Sequence, residues 1–108
     1  MGKLYHKLVR DRIPEIITAN GQTCVTEVLE GDTYREMLGE KLSEECAEVR
    51  GALSDAEVLE ELADVLEVVY TMAADRGCSV DALEKIRRKK AEERGGFDAR
   101  ILLREVEG

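Results

Sequence analysis

Residues 41–64 read KLSEECAEVRGALSDAEVLEELAD, and they hold two carboxylate pairs at helical spacing, Glu45-x-x-Glu48 and Glu61-x-x-Asp64. Between the pairs lies Ser54-Asp55. Ser and Asp favour helix starts because their side chains accept from backbone N–H groups that have no partner inside the helix. The stretch therefore reads as two helices folded back on each other near positions 54–55. Positions 48 and 61 add to 109, and so do 45 and 64. Each residue thus lies as far before the turn as its partner lies after it. With a rise of about 1.5 Å per residue, the two pairs meet at two matching levels of an antiparallel hairpin.

The faces agree with the levels. With Leu38 at zero and about 100° per residue, Val49, Leu42, Tyr34 and Ala52 form an apolar stripe, and Glu45 falls inside it near 340°. Glu48 lies on its flank near 280°. On the second helix Glu61 falls between Val65 and Val68. Most Glu-rich helices show such residues to water. A carboxylate within an apolar stripe is costly unless something compensates its charge.

Working outward, the 108 residues support one domain, 1–108, with a modest core. The net charge of −8, with 4% aromatics and no Trp, argues against a nucleic-acid polymer as partner. Three widely spaced cysteines suggest neither a disulfide framework nor a thiolate metal site. With no apolar leader and no 18-residue apolar run, the expectation is a cytoplasmic protein without a membrane partner.

Asp11 is expected to cap a brief helix containing Pro14, ended by Asn20-Gly21. TCVTEVL at 23–29 reads as a short strand. Long helices follow at about residues 33–53 and 56–76, and Ser79 caps another that runs to about Arg94. Ile101 to Val106 reads as a second strand able to pair with 23–29. The fold expected is mainly α: an antiparallel bundle of three main helices, a short N-terminal helix and a small two-stranded β element.

Charge is segregated. Nine acids lie between Glu44 and Glu67, while Lys85, Arg87, Arg88, Lys89, Lys90 and Arg94 crowd the last helix. Some of these cations complement the helix dipole. An acidic centre near basic residues also suits a metal–polyphosphate substrate, and oxygen-only ligands favour Mg²⁺ or Mn²⁺. His6 is the single histidine, so a di-iron site built on Glu-x-x-His is unavailable, and His6 reads as a surface residue.

This constellation resembles the all-α nucleoside triphosphate pyrophosphohydrolases, the MazG-like and phosphoribosyl-ATP pyrophosphohydrolase-like superfamily. Its signature is ExxE, a gap of a dozen or more residues, then ExxD; here the gap is twelve residues. KLVRDRIPEII at 7–17 and RGGF at 94–97 resemble one subgroup described as predicted house-cleaning phosphatases. The resemblance implies Glu45, Glu48, Glu61 and Asp64 as Mg²⁺ ligands, with Mn²⁺ as an alternative ion. It implies Glu44 as general base for a water attacking the α-phosphorus of a nucleotide, with pyrophosphate leaving. Lys7, Arg10, Lys89, Lys90 and Arg94 are candidate phosphate contacts. The substrate stays open among nucleoside triphosphates, noncanonical nucleotides and phosphoribosyl-ATP.

Two other classes also stay open. One is a non-catalytic helical module that binds metal and nucleotide for regulation or interaction. The other is a structural bundle whose acids are solvated. On the second helix, apolar residues from Val68 round to Tyr70 span about 200°, wider than the roughly 100° stripe one core needs. A homodimer or homotetramer is therefore expected.

Overall fold

A computed structural model describes residues 2–108, and Met1 lies outside them. Four helices follow in order: α1 (Ile13–Ala19), α2 (Gly31–Gly51), α3 (Asp55–Asp75) and α4 (Val80–Arg94). Pro14 sits in the first turn of α1, where its missing N–H costs nothing. Asp11 does not cap this helix: Arg12 occupies the N-cap, and no side chain bonds there. Asn20 ends α1, followed by Gly21 at φ +80°, a left-handed turn natural to glycine.

The hairpin of α2 and α3 is the body of the molecule. Its closed end is fastened reciprocally. Ser54 Oγ accepts from the Glu57 N–H at 3.2 Å, while the Glu57 carboxylate accepts from the Leu53 N–H at 2.9 Å. Its open end is tied by Arg35 Nε, which donates to Asp75 Oδ2 at 2.7 Å. Between the fastenings lie Leu38 of α2 and Val68 of α3, the two buried apolar residues among those described. Glu45 is buried with them at 6% exposure.

α4 is capped by Ser79 Oγ, which accepts from the Ala82 N–H at 3.1 Å. This helix packs lightly on α3 and does not touch α2. It ends at Gly95, whose φ of +82° disfavours a residue with a Cβ.

The two-stranded β element is absent from the described residues, and both of its segments lie outside regular structure. Val25, Val28, Ile101 and Val106 are almost fully exposed. Alternating β-branched residues favour an extended backbone, but two strands persist only when a helix or further strand covers them. Here neither segment meets such a layer.

The chain is also expanded. Its radius of gyration is 18.3 Å, against about 13 Å for a compact domain of this length. Its accessible surface is 9899 Å², where a compact 12.1 kDa monomer would expose about 6,000 Å². Large apolar side chains contribute to the excess: on α3, Leu59 is 67% exposed, with Leu62 and Leu66 nearly half exposed.

Candidate metal centre

The hairpin brings the two carboxylate pairs together. Glu45 and Glu48 of α2 and Glu61 and Asp64 of α3 each offer an oxygen, and these four oxygens lie within 4.8 Å of one another. Glu45 is buried, Glu61 and Asp64 are half-buried, and Glu48 is exposed. The level-matching inferred from position numbers holds because the turn is short and both helices are regular to its edge.

Two oxygens here have no partner. Glu45 Oε2 and Glu61 Oε2 are buried without a hydrogen bond among the described residues. An unpaired buried acceptor costs roughly 1–3 kcal/mol, and more when charged. A hard divalent cation, which takes oxygen ligands at about 2.0–2.6 Å, answers that cost. Four carboxylate oxygens from two helices, and no nitrogen or sulfur, make the donor set that such a cation takes. The residues fit Mg²⁺ or Mn²⁺.

Protein cations surround the cluster. Lys41, one turn before Glu45 on α2, places Nζ 3.1 Å from Glu45 Oε1 and 3.6 Å from Glu44 Oε2. From the N-terminal arm, Lys7 donates to Glu44 Oε1 at 3.2 Å and Arg10 Nη2 donates to Asp64 Oδ1 at 2.5 Å. Desolvation pushes the Glu45 carboxyl above its usual range, with Glu48 adding to the rise and Lys41 holding it back. Desolvation acts on Glu44 as well, but Lys7 and Lys41 together outweigh it and leave that carboxyl below its usual range.

Each residue singled out in the sequence can now be located. Glu45, Glu48, Glu61 and Asp64 converge. Glu44 stands beside them, held between Lys7 and Lys41. Lys7 and Arg10 reach the cluster, but they touch carboxylates. Lys89, Lys90 and Arg94 lie on α4, which has no contact with α2, and Lys89 faces Glu93 of its own helix at 3.9 Å. Within one chain these three cations do not join the cluster. Lys41 belongs to the centre and was given no role in the sequence reading. Its i,i+3 and i,i+4 relation to Glu44 and Glu45 was the available signal.

Beside Glu48 and Glu61, towards the turn, runs an open cleft of about 440 Å³. Its wall is kept low by Ala47, Gly51 and Ala52, and Glu57 closes it.

A helical hairpin with ExxE facing ExxD is the arrangement of the all-α nucleoside triphosphate pyrophosphohydrolase superfamily. The phosphoribosyl-ATP pyrophosphohydrolase family model matches residues 5–91, and the chain belongs to that family. An uncharacterized protein of Mycolicibacterium smegmatis is 54% identical over 46 residues, 43% of this chain and 47% of that protein. The chain thus spans about half the length of this curated relative. No solved structure matches the chain. Among the described residues no helix is long and apolar enough to cross a membrane.

Proposed function

We propose that the chain is a Mg²⁺-dependent pyrophosphohydrolase that cleaves a nucleoside triphosphate, a noncanonical nucleotide or a phosphoribosyl-ATP-like substrate to a monophosphate and pyrophosphate. The observation that carries this reading is the convergence of four carboxylates with two buried, unpartnered oxygens, in a chain of this family.

Glu45, Glu48, Glu61 and Asp64 would hold Mg²⁺ or Mn²⁺, whose charge offsets that of the phosphate chain and aligns it for in-line attack. Glu44 accepts the proton of the attacking water. Lys41, carried on the same helix, orients the Glu44 carboxylate beside the cluster, and with Lys7 it holds that carboxyl below the usual carboxylate range. Lys41 occupies Glu45 Oε1 and leaves Oε2 free for the ion. The low wall of Ala47, Gly51 and Ala52 gives the nucleotide a path to the carboxylates. Three free cysteines suit the reducing cytoplasm.

The working unit in this reading is a homodimer or a dimer of dimers. Against a compact monomer the chain exposes an excess of about 3,900 Å², more than the roughly 1,000–2,500 Å² that each partner of an obligate pair buries. Leu59, Leu62 and Leu66 would lie in that interface. Lys89, Lys90 and Arg94 would serve as phosphate contacts only from a second copy. Monomeric light scattering at micromolar concentration would defeat this part.

The decisive experiment incubates a panel of nucleotides with the protein and Mg²⁺ and scores pyrophosphate release. Release from at least one nucleotide is expected. Tight nucleotide binding without turnover would instead make the chain a regulatory or interaction module.

A further inference from the structure

The N-terminal arm reaches the centre from far away in sequence. Residues 2–12 form neither helix nor strand, yet Arg10 pairs with Asp64 and Lys7 with Glu44. The Arg10 guanidinium, a candidate phosphate contact from sequence, is committed to one of the four converging carboxylates. A divalent cation drawn to that cluster needs the same negative charge that Arg10 now answers. Two like-signed groups cannot both take Asp64 at full strength.

The surrounding cations differ in their freedom to leave. Lys41 is carried on α2 beside its partners, and its side chain is 18% exposed. The Arg10 side chain is 54% exposed and hangs from a segment without regular structure. An exposed pair of this kind contributes little and is easily given up. A freed guanidinium has a natural next partner, because its planar fork matches phosphate oxygens.

Resting on the metal-centre reading above, we propose that Arg10 is an exchangeable counter-ion of the carboxylate centre. It holds Asp64 until a divalent cation takes that carboxylate. The released arm then presents Arg10, with Lys7 beside it, to the phosphates of the substrate. Metal loading and phosphate capture are thereby linked through one side chain.

The test compares the full-length parent with Arg10→Gln and Glu48→Gln. Mn²⁺ titration followed by electron paramagnetic resonance reads metal affinity directly. Arg10→Gln should bind Mn²⁺ about two- to fivefold more tightly than the parent, the weight of one partly exposed ion pair. With Mn²⁺ present, the same variant should bind inorganic tripolyphosphate more weakly. Brief trypsin digestion read by mass spectrometry follows the arm itself. Cleavage after Lys7 and Arg10 should speed up with Mn²⁺ and slow again when tripolyphosphate is added. In Glu48→Gln, Mn²⁺ should leave the cleavage rate unchanged. A parent that binds Mn²⁺ with the same affinity as Arg10→Gln, or more tightly, overturns the exchange and leaves the metal centre standing. A parent that binds no Mn²⁺ overturns both.

Discussion

On α4, Arg87 and Arg88 share Glu84, and Lys89 turns towards Glu93; each pair lies within about one turn and is open to solvent. On the α2–α3 hairpin, Glu45 is buried, its Oε2 and that of Glu61 lack partners among the described residues, and the neighbouring acids draw cations from as far as the N-terminal arm. Both regions are crowded with charge. On α4 the opposite charges are close in sequence and solvated, so their pairs form and break freely. On the hairpin, like charges are gathered from two helices, and one oxygen each of Glu45 and Glu61 is shut off from water. Charge density does not distinguish the two regions. Burial without a partner does, and it is what gives a ligand something to contribute.

The comparison breaks most sharply at Glu48. Glu48→Gln should lose pyrophosphate release, and with it the stabilisation by Mg²⁺. At a hundredfold excess of metal over Kd the parent gains about 2.7 kcal/mol, a Tm rise of about 10 °C for a subunit of this size. Calorimetry with and without chelator reads both. Without metal the variant should be at least as stable as the parent, since one repelling charge is gone. A parent whose Tm ignores Mg²⁺ would make the hairpin no different from α4.

Next in size is Lys41→Met. Its removal leaves Glu45 buried and unpaired, so the chelated protein should lose about 1–3 kcal/mol by urea titration. Lys89→Ala on α4 should be silent in the same assay. Equal effects at both positions would erase the contrast.

A third, smaller effect concerns protons. The raised pKa of Glu45 contributes stability below the usual carboxylate range, and this is lost as pH rises through the raised value. The lowered pKa of Glu44 acts in the opposite sense. Its contribution is present above the usual range and disappears as pH falls through the lowered value. Denaturation of the chelated protein across about pH 3–7 should therefore show Glu45→Gln abolishing the loss on the rising side. Glu44→Gln should abolish the loss on the falling side. The smallest effect expected is at Lys90 and Arg94, whose alanine variants should leave Mn²⁺ affinity unchanged. A raised KM there would indicate that α4 of a second copy reaches the centre.

Much of this was legible in the sequence, for a geometric reason. Regular helices and a short turn make distance a function of residue number, so Glu45, Glu48, Glu61 and Asp64 could be brought together by counting. Counting fails where no regular element links the parts. The reach of Arg10 to Asp64 crosses an arm without secondary structure, and its partner could not be inferred from spacing. The direction of α4 is set by the turn around Gly77, at φ +77°, so its basic face could be described but not aimed. Residues 23–29 and 101–106 show why composition misled: β-branched residues specify an extended backbone, whereas a strand requires a neighbour. The spacing of Lys41 to Glu44 and Glu45 is in plain view, but such i,i+3 and i,i+4 pairs are common on solvated helix faces and do not by themselves mark a site.

The reciprocal bonds between Ser54, Glu57 and Leu53 have a consequence for how this chain can vary in length. Loss or gain of a single residue within the helical stretches between each carboxylate pair and that turn (49–51 of α2 or 55–60 of α3) would rotate one pair by about 100° and slide it about 1.5 Å against the other. Glu61 and Asp64 would then turn away from Glu45 and Glu48, even with every helix intact. Residues 22–30 and the segment after Gly95 carry no such phase relation. Related chains should accept insertions and deletions freely in those segments, and keep a constant count in the two helical stretches.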